Sequence, residues 1–313
     1  MPLYSADALV LRTYKLAEAD RIVVFLTRDR GKKRGVAPAA RRPRSRFAGA
    51  LEPLTEVRVA YFEKEQRELV NLNYAEPVRS PLAASTSEAL GYSAYFAELL
   101  DAVAADADPD ERLFRLGSAT LDALTSGIPV APLARYFECW LLRLQGVYPP
   151  DVACAGCGTE LAEGDGAFLA MDGHGFACRA CHGAQGTDDR FLSARALGFV
   201  RAARRTSPQD AAGLGASDAV LRELEGAHRA LLGSHLERQL KSVRVVRRWP
   251  GPDKAIAVTF QDLIIKLSNF WASRGCLLQQ PLDLEVRAAS TPRPCSGCSG
   301  PTTGRWPTSS RRD

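Results

Sequence analysis

The chain has 313 residues, enough for about two domains. With 46% hydrophobic and 25% charged residues it can build a core, which excludes a wholly disordered protein. Its 41 Lys and Arg against 36 Asp and Glu leave a net charge of +5, so a preference for polyanions must come from how charge is distributed. No charge-free apolar run reaches the ~18 residues of a membrane helix. The start, Met1–Arg12, lacks a basic segment followed by an apolar one, so no secretory signal is expected and the compartment reads as cytoplasmic.

In chain order, the first 80 residues read as β. Ala8–Leu11 and Ile22–Leu26 are short apolar runs, Val57, Val59 and Tyr61 alternate around Arg58 and Ala60, and Leu69–Leu72 closes the series before Pro77 and Pro81. Several short strands with charged turns predict a small closed barrel or a sandwich. From residue 82 the pattern turns helical. Glu88–Ala105 has Ser87 as a candidate N-cap, Leu113–Leu124 is ended by Gly127 and Pro129, and Leu133–Leu144 follows. Pro149–Gly186, rich in Gly and Cys, is too irregular for a helix or a long strand. Helical spacing resumes at Ala194–Ala203 and Ala219–Leu240, around a Gly/Ser/Pro break. After Trp249–Pro252 comes an amphipathic stretch, Val258–Leu278, and then Arg287–Asp313, whose Ser, Thr, Pro, Gly, Arg and Cys cannot build a core and predict disorder. The expected class is α+β, divided at about 1–80, 81–250 and 251–313, with a Cys-rich insertion at about 150–186.

Eight cysteines without an export signal point to metal or free thiols. Cys154-x2-Cys157 and Cys178-x2-Cys181 flank a 20-residue spacer. Two such knuckles supply four soft ligands in the tetrahedral set that Zn²⁺ takes in structural sites. Four thiolates leave no position for water, so such a zinc would be structural, one per chain. The competing readings are four free thiols or two disulfides. An enzyme whose zinc opens a coordination site is a further rival. His174 and His182 could each replace a Cys, although a loop histidine is the simpler reading. Cys295-x2-Cys298 is a third knuckle without a partner pair, and Cys139 beside Trp140 reads as core.

Arg28–Arg46 carries nine basic residues against one acidic residue, Asp29. Arg28, Arg30, Lys32, Lys33, Arg34, Arg41, Arg42, Arg44 and Arg46 beside a β framework suit phosphate binding by counterion release. Tyr4, Tyr14, Phe25, Phe47 and Tyr61 are candidates for stacking on bases. A solvated charged loop is the bland alternative. Arg201, Arg204 and Arg205 form a second cluster on one helix face, either a continuation of a phosphate track or a solvated face. The phosphate-loop, dinucleotide, nucleophile-elbow and zinc-protease motifs are absent, and no convergent catalytic set emerges. A non-enzymatic protein is expected.

These features together resemble the bacterial RecO family of recombination-repair proteins. The resemblance rests on Thr27–Lys33 leading to Gly35–Ala37, on Ser45–Leu54, on the Cys pattern after Gly146–Pro149, and on the basic helix Phe199–Arg205. It covers roughly residues 1–245. It implies an OB-fold at residues 1–80 followed by a helical domain with an inserted four-Cys zinc finger. It also implies a mediator of the RecF pathway that binds single- and double-stranded DNA, anneals complementary strands and helps load recombinase with RecR. Contact with the acidic C-terminal tail of the single-strand DNA-binding protein and association with the nucleoid go with it. An RNA-binding OB-fold factor with a structural zinc is the alternative. The chain departs from the family at Pro38 and Ala39, where a basic residue and then Gly are common, which shifts the expected basic contact to Arg41 or Arg42. The tail from Thr259–Leu263 through Phe270-Trp271, Gly275-Cys276 and Gln280-Pro281 to Glu285-Val286 resembles the start of the glycyl-tRNA synthetase alpha subunit. Codons that could encode Gly297–Asp313 can be chosen so that a shifted frame continues it. The expectation is a fused or mis-joined reading frame at 251–313.

Overall fold

The computed structural model describes residues 2–236, except 65–67, 85, 150, 163, 172–174 and 183–188, together with Ser242. The chain divides into two units, Met1–Gly251 and Pro252–Asp313, and every described residue belongs to the first. The expectations for the tail, the Cys295–Cys298 knuckle, His174 and the last helix beyond Leu236 (Ser242 aside) fall outside the described residues.

Strand periodicity explains the N-terminal body. β1 (Leu3–Leu16), β2 (Asp20–Thr27), β3 (Gly31–Ala37), β4 (Glu56–Phe62) and β5 (Leu69–Arg79) close into a barrel in the order β1-β2-β3-β5-β4. The β3–β5 pairing is parallel and the other pairings are antiparallel. Alternate residues fill the interior: Ala8 and Val10 from β1, Val23 and Phe25 from β2, Val57, Val59 and Tyr61 from β4, Val70 and Leu72 from β5. The intervening Leu9, Leu11, Val24 and Leu26 face outward and join the core shared with the helices. Burial on both faces is why these strands read as unbroken apolar runs. Pro77 sits beside a register shift in the β4–β5 ladder, the kind of place where a strand tolerates a missing N–H.

The stretch Gly31–Ala37 was expected as part of a basic block and is a strand. The corner beyond it bears on the departure at Pro38-Ala39. Ala39 adopts a left-handed φ of 55°, and its N–H donates to Asp20 Oδ1 at 2.8 Å. An alanine therefore stands where the backbone favours glycine.

The helices are α1 (Ser87–Val103), α2 (Glu111–Thr125) and α3 (Val130–Leu144). The cap of α1 is Thr86 and not Ser87: Thr86 is extended, and its hydroxyl accepts the Ala89 N–H at 3.2 Å. The Cys-rich segment contains β6 (Ala167–Leu169), β7 (Phe176–Ala177) and the single turn α4 (Arg179–His182), and β8 (Arg190–Leu192) completes a small sheet ordered β7-β6-β8. Then come α5 (Ala194–Ala203), a 3₁₀ turn at Pro208–Leu214, and α6 (Asp218–His235). Val152, Cys154, Leu161, Leu169 and Phe176 belong to the same apolar core as α1, α3 and α6, so the Cys-rich lobe is rooted in the helical body.

A buried polar network crosses that core. Arg135 donates to Glu138 Oε1 at 2.6 Å, Tyr95 donates its hydroxyl to the same oxygen at 2.7 Å, and His228 Nδ1 lies 2.9 Å from Glu138 Oε2. Cys139 Sγ lies 3.5 Å from His228 Nε2. Burial opposes ionisation of Glu138, but Arg135 and then His228 hold its carboxyl below the usual range. Burial lowers the His228 pKa and raises that of the Cys139 thiol. The network therefore rests as an ionised Glu138, a neutral His228 and a protonated Cys139.

Candidate metal centre and nucleic-acid interface

The four cysteines meet at one point. Their Sγ atoms all lie within 4.8 Å of one another, and Cys157 and Cys178 are 4.0 Å apart. Tetrahedral ligation at a Zn–S length of ~2.3 Å requires S···S separations of roughly 3.8 Å, so the set fits a metal ion with small adjustment. The chain has prepared the site: the Cys178 N–H donates to Cys154 Sγ at 3.3 Å. Burial opposes ionisation of Cys154, yet N–H groups of Cys178, Cys157 and Gly156 bring its thiol down to about 6. Thr159 lowers Cys157 as well. Glycine at 156 keeps the knuckle uncrowded, since a Cβ there would stand 3.1 Å from Cys181 Cβ. His182 is not in the cluster: its ring stacks on Phe168 at 3.5 Å between centroids, and its Nε2 lies 3.4 Å from Asp189. Cys139 is buried in the helical core, as expected.

The basic residues divide by position. Lys32 is the main correction, since its side chain is only 9% exposed. Its Nζ donates to the Asp101 carbonyl at 3.0 Å and lies 3.7 Å from Asp101 Oδ1 and 3.6 Å from Asp106 Oδ1. Arg12 pairs with the same Asp101. Backbone bonds from Lys32 N–H to Ala105 O and from Ala107 N–H to Lys32 O extend the contact. Gly31, with φ 67°, lies so close to the Asp108 backbone that any side chain would collide. Lys32 is thus a clamp between the barrel and the C-terminal end of α1 with the loop that follows it. Lys33 also turns inward, on the row of Phe25, and donates to Glu63 at 2.6 Å. Arg34 is exposed and lies 3.5 Å from Asp106. Arg41 donates to the Ala17 and Glu18 carbonyls of the β1–β2 turn.

Arg42, Arg44 and Arg46 project from the connector after β3 and are exposed. Among the described residues none of the three has a carboxylate within ion-pair distance, and Arg46 lies 5.1 Å from the centroid of the Phe47 ring. Phe25, Phe47 and Tyr61 are buried and unavailable for stacking. Tyr4 is covered by the Arg30 guanidinium at 4.0 Å. Tyr14 is 46% exposed, with Arg12 at 5.4 Å from its ring. By register Tyr14 shares the outward face with Ile22 and Val36, one row from Arg12, Val24 and Arg34. Tyr74, also exposed, was not singled out by sequence because nothing in an alternating strand says which face stays bare.

The second cluster edges a groove of about 1310 Å³ between α5 and the Cys-rich lobe. Arg201 donates to the Leu161 carbonyl and Arg204 pairs with Asp151 at 3.1 Å, whereas Arg205 is exposed. No helix among the described residues is long and apolar enough to cross a membrane.

Residues 1–81 match the family model described as Recombination protein O N terminal, and residues 84–244 match Recombination protein O C terminal. The chain is similar to the DNA repair protein RecO of Symbiobacterium thermophilum, 34% identical over 251 residues, covering 77% of this chain and 96% of the relative. The corresponding protein of Nocardioides sp. is 35% identical over 255 residues, covering 79% and 100%. That of Koribacter versatilis is 43% identical over 163 residues, covering 51% of this chain and 65% of the relative. With both family regions present in order on an OB-like barrel and a helical body that gathers four cysteines, the chain belongs to the RecO family of DNA repair proteins.

Proposed function

We propose that this chain is a non-enzymatic mediator of recombinational repair that binds single- and double-stranded DNA on the basic connector of its barrel. The observation that carries the reading is the set Arg42, Arg44 and Arg46: exposed, without acidic partners among the described residues, and rooted on a closed five-stranded barrel. Arg34 and Arg205 extend the charge, and Tyr14 offers a ring for an unpaired base. Holding two strands on one cationic surface lowers their mutual repulsion, so annealing of complementary strands follows from binding. Residues 1–80 act as the nucleic-acid module, and 81–250 as its platform.

Cys154, Cys157, Cys178 and Cys181 hold one Zn²⁺ in this reading, and the ion's part is to fix the lobe and not to react. RecR and the acidic tail of the single-strand DNA-binding protein are the protein partners, and the assembly works at the nucleoid. Residues 251–313 are a neighbouring reading frame joined to this one; the end of the family match at 244 supports this, and sequencing the genomic junction tests it. The test of the main reading is a strand-annealing assay with the full chain. Faster annealing of complementary DNA strands, lost in Arg42→Ala/Arg44→Ala/Arg46→Ala, is expected. A chain that binds matched RNA more tightly than DNA, through sensitivity to the 2′-OH, would replace this reading with an RNA-binding one.

A further inference from the structure

A second cationic groove, of about 490 Å³, runs between β8 and α6 and belongs to neither the barrel nor the cysteine cluster. Arg190 and Phe191 form one wall, and Arg222, Gly226 and Arg229 line the other. Spacing of four and three residues puts those three positions on one face of α6. Gly226 is exposed, and the space where its side chain would stand is open, so a flat group can approach the helix there.

Phe191 is the unusual feature of this groove. The residue is 41% exposed, yet its ring is held in place. Phe168 meets it edge-on at 5.2 Å, Arg179 lies 5.6 Å from its centroid, and its far edge fills the space where a side chain at Gly166 would be. An exposed aromatic ring fixed beside arginines is preorganised for stacking. The charge is equally poised. Among the described residues the side chains of Arg190 and Arg222 are exposed and have neither an ion pair nor a hydrogen bond. The groove's one carboxylate, Glu223, accepts the Ser193 N–H and, at 2.9 Å, its hydroxyl, so it is engaged at the start of α5. Glu225, the next acid on α6, pairs with Arg229 and lies 3.5 Å from Arg135.

We propose that the Arg190–Phe191–Arg222 groove is a second contact for single-stranded nucleic acid, with an unpaired base on Phe191 and flanking phosphates on the arginines. The proposal rests on the nucleic-acid reading above but uses different elements. An acidic peptide would satisfy the arginines too. The shallow floor of glycine and alanine, however, suits a planar ring better than a branched side chain seeking a socket. A strand held here as well as on the barrel gives one chain two places for two strands, which is what annealing needs.

The test uses the full chain and oligothymidylate carrying 5-iodouracil, cross-linked by light and mapped by peptide mass. The expected result is a cross-link at Phe191 in the parent and in Arg42→Ala/Arg44→Ala/Arg46→Ala, absent in Phe191→Ala. Arg190→Ala/Arg222→Ala, at two exposed and unpartnered positions, should shallow the salt dependence of binding by about 1.4, at ~0.7 per lost contact. Cross-links confined to the barrel, with an unchanged slope in that double variant, would overturn the proposal and leave the barrel reading standing. A parent chain that does not bind the oligonucleotide would defeat both. An acidic peptide that binds here and protects Phe191 while the oligonucleotide does not would overturn it in favour of a protein partner.

Discussion

Replacing Lys32 by Met separates a basic residue that holds the fold from those that face a polyanion. The Lys32 ammonium lies among the Asp101 carbonyl, the Asp101 carboxylate and Asp106, while the surrounding side chain is buried. Removing one partner from a buried pair costs about 3–5 kcal/mol. Arg12 stays beside Asp101, and Asp106 is largely exposed, so the lower end applies, about 3 kcal/mol. At ~2–4 °C per kcal/mol for a body of this size, the melting temperature should fall by about 6–12 °C. Thermal melting by circular dichroism reads the fall, and the salt dependence of oligonucleotide binding, taken well below the transition, should keep the parent's slope. Arg42→Ala should do the reverse: a shallower slope and a melting point close to the parent's. An unshifted melting curve for Lys32→Met, together with a shallower salt slope, would refute the clamp and return Lys32 to the interface.

Metal analysis should find about one Zn²⁺ per chain, and Cys154→Ser or prolonged chelation should remove it and lower the melting temperature, because metal binding is here part of folding free energy. A chelated protein with the parent's melting curve would contradict this. Ala39→Gly should stabilise the chain by about 1 kcal/mol in urea unfolding, since an L side chain at left-handed φ is strained; a lower midpoint would count against the strain. The His228 pKa is lowered by burial, so the unfolded chain binds a proton that the folded one refuses, and stability should decline as pH falls below about 6.5. Glu138, held below its usual range, adds a second loss as pH falls below about 4. His228→Gln should remove the first decline in a pH series of unfolding curves and leave the second.

What the sequence disclosed follows from which signals are local. The apolar runs of β1 and β2, the helix Ala194–Ala203 and the paired cysteines were legible because period and spacing carry them. The strand β3 was not. Its buried positions are filled by Gly31, Lys32, Gly35 and Ala37, so no alternation of large apolar residues marks it, and only pairing with β2 and β5 reveals it. The fate of Lys32 was invisible for a related reason. Its partners Asp101, in α1, and Asp106, in the loop after it, are about 70 residues away, and a charge in sequence does not say whether it meets water or a carboxylate. The Glu138–His228 pair, 90 residues apart, joins α3 to α6 only through the helical packing. Stacking candidates suffered likewise: of the five aromatics named from sequence, Phe25, Phe47 and Tyr61 serve the barrel interior.

The most direct test of the central claim is the salt dependence of single-stranded DNA binding by Arg42→Ala/Arg44→Ala/Arg46→Ala. Three lost phosphate contacts should shallow the slope by about 2 units, at ~0.7 each, with affinity falling alike for unrelated sequences. A slope and affinity equal to the parent's would contradict the account, because three exposed arginines without acidic partners would then contribute nothing to holding the strand.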